Sequence, residues 1–196
     1  MATTKFGFKG LLAGLLMACA FSASAADVSG VKFDESAKVA GKDLVLNGAG
    51  LRTKFIIKVY AAGLYLTEKK NAVPEVLKVD GPRRMQLVMM RDISSEDFGQ
   101  AFMTGLDHNI DAGEKNKYVS QISKFGELFG SIPGVKKGDV LHIDWIPASG
   151  TVIELNGKKL GEPIPDVGFY NAVLRIWLGD RPADSSLKPQ LLGAAR

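Results

Sequence analysis

The chain has 196 residues, with 25 Lys and Arg against 21 Asp and Glu and a single cysteine, so an intrachain disulfide framework is excluded and stability must come from a core. No basic run exceeds pairs such as Arg83-Arg84 and Lys136-Lys137, which leaves no electrostatic footprint for nucleic acid. The length suits one domain, and no repeat, low-complexity tract or Pro/Gly/Ser-rich linker divides it.

The first residues read as an address rather than as part of a fold. Lys5 and Lys9 form a basic n-region, 10–21 is an apolar stretch too short to span a bilayer comfortably, and Ala23-Ser24-Ala25 is a small-residue cleavage site. The expected organisation is therefore a signal peptide at 1–25 and one domain at 26–196, periplasmic or secreted, with no transmembrane segment in the mature chain. Losing Lys5 and Lys9 leaves 23 of the 25 basic residues against 21 acidic ones, so the mature chain is close to neutral. Cys19 falls inside the leader, where Leu16-Met17-Ala18-Cys19 loosely matches a lipobox. A lipoprotein anchored through Cys19 is the alternative to a soluble exported protein.

Short strands come next, at 31–33 and then at 37–40 and 44–46 around a Gly41-Lys42-Asp43 turn. The run 55–66, rich in Phe, Ile, Val, Tyr and Leu with one charge at Lys58, predicts a long strand largely inside a sheet. Asn71 is placed to cap a short helix reaching about Leu77, and after Pro82 a Met- and Leu-rich strand runs over 84–91. Ser94, followed by Glu96 and Asp97, marks a helix start; Phe98, Phe102 and Leu106 then repeat at helical spacing to about His108. Tyr118, Ile122, Phe125 and Phe129 predict a second helix stopping in the Gly- and Pro-containing stretch 130–134. Strands at 140–145 and 151–155 alternate, Asn156-Gly157 signals a tight hairpin, and 169–178 forms a late helix before a Pro-containing tail. Strands first and helices later, without regular β-α-β alternation, predict an α+β fold with a mainly antiparallel sheet.

Arg52 is the charge to explain, since it precedes the apolar run 55–66. A guanidinium stays charged and presents five donors in a planar fork, which suits a carboxylate or an enolate oxygen beside a low-dielectric cavity. Two readings stand: a ligand receptor, or a structural ion pair with Asp92, Glu96 or Asp97. Tyr60 lies eight residues further on, and eight extended residues span about 26 Å. The two side chains therefore meet one ligand only if the chain folds back between them, and Thr53-Lys54 leaves little room for that. Tyr60 alone reads as a strand tyrosine with its hydroxyl at the surface.

Gly48-Ala49-Gly50-Leu51-Arg52 resembles the Gly-x-Gly-x-Arg turn of the chalcone isomerase family, and Lys58 to Leu66 resembles its Lys-Phe-Thr-Ala-Ile-Gly-Val-Tyr-Leu strand. Asn171-Ala172-Val173-Leu174, Leu178-Gly179 and 184–188 resemble the family's final helix and the segment after it. The resemblance implies an open-faced antiparallel β-sandwich whose large sheet is covered by a layer of helices. The family's plant enzymes close a chalcone phenolate onto an enone with an arginine, two threonines, a tyrosine and an asparagine. On this chain those positions fall on Arg52, Tyr60, Phe98, Gly105 and Ile176, so only the arginine is kept. Phe98, Gly105 and Ile176 offer no polar side chain to orient a flavonoid. The Tyr60 departure resembles the family's fatty-acid-binding branch, in which arginine and tyrosine hold a carboxylate.

The function expected is a noncatalytic, exported binding protein for a fatty acid or other small carboxylate, with Arg52, Tyr60, Phe98, Phe102 and Ile176 as ligand-binding residues. Phe55, Ile57, Val88, Met90, Met103, Phe169 and Val173 are further candidates for the cavity wall, and Met85 and Met89 would add adaptability unless they simply fill the core. The alternative is an isomerase or lyase using Arg52 to stabilise an oxyanion on an enone-like substrate. An interaction module without a cavity is a third. No cofactor is expected: there is no P-loop, nucleophile elbow or dinucleotide fingerprint, and His108 and His142 lack metal-ligand spacing. His108 reads as a helix-terminal residue and His142 as facing solvent; Asp107, Asp111 and Glu114 read as a solvated helix end.

Overall fold

The computed structural model describes residues 25–194; the expected leader up to Ser24, with Cys19, lies outside the described residues. Seven strands form one antiparallel meander in which every strand pairs with its neighbour in sequence: β3 (Ser36–Val39), β4 (Lys42–Lys54), β5 (Ile57–Leu66), β6 (Arg83–Met89), β7 (Val140–Ile146), β8 (Gly150–Leu155) and β9 (Lys158–Lys159). A separate hairpin of β1 (Ala26–Val28) and β2 (Val31–Phe33) precedes it. The α+β expectation and the helix-covered sheet hold.

β5 is buried from Val59 to Leu66, which explains its unbroken apolar run: it is covered on both faces. On one face Tyr60, Ala62, Leu64 and Leu66 join Met85, Leu87, Leu141 and Ile143 in the main core beneath the helices. On the other, Ala61 and Tyr65 pack with Leu44, Leu46 and the β1–β2 hairpin. Gly63 makes the second contact possible, since a Cβ there would meet the Phe33 ring at 2.7 Å.

The helices are α1 (Val73–Val76), α2 (Ser95–Asp107), α3 (Ala112–Lys117), α4 (Val119–Gly130), α5 (Val167–Leu178) and α6 (Leu187–Leu191). α2 begins as its sequence predicts, with the Ser94 hydroxyl accepting from the Asp97 amide at 3.1 Å and Glu96 and Asp97 in the first turn. Asn71 does not cap α1; Ala72 is the N-cap, and Pro74 opens the helix instead. Asp111 and Glu114, expected as a solvated helix end, make a capping box that starts the unexpected α3. Glu114 also takes Arg175 of α5 at 2.5 Å.

Two corrections matter for the site. First, the strand expected at 44–46 continues to Lys54, and Phe55-Ile56 is a two-residue reversal rather than the start of the next strand. Phe55 has φ of 57°, a left-handed conformation for which the sequence offers no glycine or asparagine. Second, the expected tail contains α6, which docks on β4. A Cβ at Gly48 would meet the Gln190 carbonyl oxygen at 2.1 Å, and one at Gly50 the Leu187 side chain at 2.8 Å. The Gly-x-Gly motif thus lies within a strand, not a turn, and its glycines make room for α6, Gly48 for its backbone and Gly50 for its side chains. Beside them Asn47 donates to the Leu191 carbonyl at 2.7 Å and accepts from the Lys70 amide at 2.6 Å.

Candidate functional site around Arg52

The short reversal at Phe55-Ile56 settles the reach of Arg52. Arg52 and Tyr60 are direct cross-strand partners on β4 and β5, with a register irregularity between Arg52 and Thr53 that lets Thr53 face Lys58. Cross-strand partners project to the same face, here the helix-covered one. The Arg52 guanidinium carbon lies 5.3 Å from the Tyr60 ring centroid, within cation–π range. Tyr60 is 4% exposed, so the expected surface hydroxyl is instead buried, and its oxygen accepts from Trp177 Nε1 at 2.7 Å.

The protonation chemistry follows from these partners. Burial pushes the Tyr60 phenol above its ordinary value of 10; the Arg52 charge and the Trp177 hydrogen bond pull it down, and the Asp184 charge adds to the rise. The hydroxyl therefore stays protonated. The indole N–H is a donor only and hydrogen-bonds the phenol oxygen, so the phenol's own proton is left to donate to something else.

Arg52 lacks the acid that a structural ion pair requires. Among the described residues no carboxylate lies within 4.0 Å of its guanidinium, and its buried Nε has no hydrogen-bond partner. Asp92 binds Lys136 at 3.1 Å and accepts from the Lys137 amide at 2.9 Å. Asp97 accepts from the Ser94 hydroxyl at 2.9 Å. Asp184 accepts from the Thr53 amide at 2.8 Å and from Ser186 and Leu187. Burial acts to raise its carboxyl, but the hydrogen bonds from Ser186, Thr53 and Leu187 prevail and hold it below the usual range.

All five residues singled out from the sequence, Arg52, Tyr60, Phe98, Phe102 and Ile176, line one small cavity of about 40 Å³. Trp177, Asp97, Ile93, Ala101 and Ala183 complete it. Trp177 is the partner sequence reasoning missed; its position next to Ile176 on the late helix was the available signal. The back wall is a ring cluster: Phe98 meets Phe102 at 5.0 Å and Phe129 at 5.5 Å edge-on, and Phe102 stacks on Phe129 at 4.6 Å. The cavity has room for about one or two waters, not for an acyl chain.

A larger cleft of about 740 Å³ lies outside it and shares Arg52, Ile93, Asp97, Ala101 and Ala183 with the inner cavity. Its cations are Arg52, Lys54, Arg91 and Arg181, against Asp92 and Asp97, so its mouth is basic. His108, the C-cap of α2, stands at its edge. Phe55 and Ile57, expected on the cavity wall, line this cleft instead. Val88 and Met90 face the opposite side of the sheet. Met85, Met89, Phe169 and Val173 are buried in the main core, and Met103 packs partly buried against it; none of them lines the cavity. The sequence pattern identifies apolar faces but not which of two faces opens onto a cavity.

The two unusual positions fill each other. A Cβ at Gly105 would meet Ile176 Cγ2 at 2.8 Å, so Gly105 on α2 makes room for Ile176 on α5. The two positions on which the sequence resemblance places an asparagine and a threonine thus meet in one apolar contact. Among the described residues no group of three His, Cys, Asp or Glu is placed to hold a metal, and no helix is long and apolar enough to cross a membrane.

Comparison with known proteins agrees with the fold. A profile described as chalcone isomerase-like matches residues 25–193. The fold is similar to the crystal structure of a fatty-acid-binding protein from Arabidopsis thaliana, with a TM-score of 0.61 at 16% identity, covering 83% of this chain and 92% of that one. No curated protein matches the sequence.

Proposed function

The chain belongs to the chalcone isomerase-like family, and from that premise we propose that it is a noncatalytic, exported protein that binds a fatty acid or other small carboxylate through Arg52 and Tyr60. The observation that carries the reading is the half-buried Arg52, whose buried Nε has no hydrogen-bond partner and whose guanidinium has no acid within 4.0 Å, beside a protonated Tyr60 hydroxyl. Together they offer a carboxylate one cation and several donors, with Asp97 in the same wall but no acid paired to Arg52, a combination that gives short, charge-assisted hydrogen bonds. The head group displaces water from the inner cavity, and the remainder lies along the outer cleft, whose volume of about 740 Å³ falls within the range of small-molecule sites. The fatty-acid-binding character of the Arabidopsis neighbour supports this ligand class.

Against catalysis stand Phe98, Gly105 and Ile176, which bring no polar side chain to the positions where the sequence resemblance places the plant enzymes' substrate-orienting groups. The isomerase reading keeps one observation in its favour, since an unpaired Arg52 suits an enolate oxygen as well as a carboxylate.

Native mass spectrometry of protein purified from the exporting cells under mild conditions tests both the address and the ligand. The expected result is a chain beginning at Ala26 that carries an acyl ligand, and Arg52→Ala that takes up added fatty acid at least about tenfold more weakly. A chain retaining 1–25 overturns the export, and repeated absence of ligand with no uptake overturns the binding. Turnover of chalcones or related enones that is lost in Arg52→Ala would install the isomerase reading instead.

A further inference from the structure

The β4–β5 hairpin ends in two large apolar side chains held out in water: Phe55 is 91% exposed and Ile56 is 96% exposed. Other exposed large apolar residues, such as Val119 and Val167, stand singly and are normal for a soluble surface. The tip is also unsupported. β6 pairs with β5 only from Tyr60 onward and β3 pairs with β4 only up to Val45, so beyond Thr53, which Asp184 holds, residues 54–58 project as a free two-stranded ribbon. Phe55 takes the left-handed conformation that glycine or asparagine would adopt without strain, so the apolar ring is kept at some backbone cost.

Charge decides what this tip meets. From Leu44 to Thr67 there is no acidic residue. Lys54 and Lys58 flank the tip, and Arg91 sits at the same end of the sheet, next to Met90, whose amide bonds the Val59 carbonyl. Among the described residues none of these three cations forms an ion pair within 4.0 Å. A stable protein partner buries about 800 Å² on each side, far more than two side chains provide. Two apolar side chains within a collar of free cations match a bilayer surface, where the apolar side chains enter the acyl boundary and the cations meet anionic headgroups.

We propose that the Phe55-Ile56 tip docks the protein on anionic lipid bilayers, Lys54, Lys58 and Arg91 contacting the headgroups. Phe55 and Ile57 line the outer cleft with Arg52, so docking sets the mouth of that cleft at the headgroup level, where fatty-acid carboxylates lie. The docking stands on exposure and charge; its role in loading rests on the binding reading above.

The test is co-sedimentation of the processed protein with vesicles of phosphatidylcholine alone and of phosphatidylcholine with phosphatidylglycerol, alongside fatty-acid uptake from solution without vesicles. The wild-type chain should sediment with the phosphatidylglycerol vesicles. Ile56→Ser, at a fully exposed position, should bind them about tenfold more weakly, and Lys58→Glu should lose the preference for phosphatidylglycerol. Ile56→Ser should keep uptake from solution, whereas Arg52→Ala should lose uptake and still sediment; this separates failure of docking from failure of ligand binding. A wild-type chain that stays in the supernatant with both vesicles overturns the proposal, as does an Ile56→Ser chain that sediments like the wild type. A tip-dependent dimer in solution without vesicle binding would give the tip to a second copy, and also overturns it.

Discussion

Tyr60 shows how one neighbour sets the role of a side chain. Its hydroxyl is the acceptor for a buried indole N–H on α5, and removing it leaves that donor unpaired in a dry core. Tyr60→Phe should therefore cost about 1–3 kcal/mol of stability, read as a lower urea midpoint at unchanged slope, and should weaken carboxylate uptake as well. An unchanged midpoint would mean that Trp177 finds another acceptor. Arg52 was legible in the sequence as a charge without an obvious purpose, and Tyr60 as its companion on a strand. Their meeting was not, because Phe55-Ile56 carries none of the residues that announce a two-residue hairpin. An intrinsic turn signal was present at Asn156-Gly157, where both residues have positive φ, and there the sequence was read correctly.

At the scale of elements, close approach explains what propensity does not. Gly105 lies inside α2, where glycine costs about 1 kcal/mol against alanine, and the contact with Ile176 gives the reason it is there. Gly105→Asn should destabilise the protein by about 1–3 kcal/mol through overpacking, as measured by denaturant unfolding. In a double-mutant cycle Ile176→Ala should relieve part of that loss, with a coupling of at least about 0.5 kcal/mol; additive effects would show that the helices are not in register as described. Gly48 and Gly50 obey the same rule against α6, which accounts for the Gly-x-Gly spacing ahead of Arg52. α6 itself was hidden from a periodicity reading because five residues are too few to display a helical stripe, and Pro189 within it reads as a breaker.

For the whole molecule, the second face of the sheet controls how stability responds to pH. His142, expected in solvent, is half-buried there; burial first, and then the Arg84 charge, hold its imidazole down at about 4. Arg84 is itself locked to Asp144 by a two-bond pairing at 2.8 and 2.6 Å. Above the ordinary value of 6.5 the imidazole is neutral in folded and unfolded chains alike and contributes no pH dependence. Between 6.5 and about 4 the unfolded chain binds a proton that the folded one does not, so stability falls as pH falls. Glu154, 3.9 Å from Nδ1, opposes the effect, and we expect a loss of about 1–2 kcal/mol across that window. Urea unfolding on either side of the window should show it, and the loss should be reduced in His142→Gln; an identical pH profile in that variant would exclude His142 as its source. The sequence by itself determined the α+β class, the antiparallel sheet and the start of α2, because alternation, capping and apolar spacing are local properties, and its resemblance to the chalcone isomerase family pointed to the five side chains that line one cavity. Only the tertiary structure decided that Arg52 faces Tyr60, that Trp177 orients the phenol, that Gly105 yields to Ile176 and that Phe55-Ile56 stands clear of the sheet. Those are contacts between segments far apart in the chain or reversals without a local code, and they follow from how the elements close on one another.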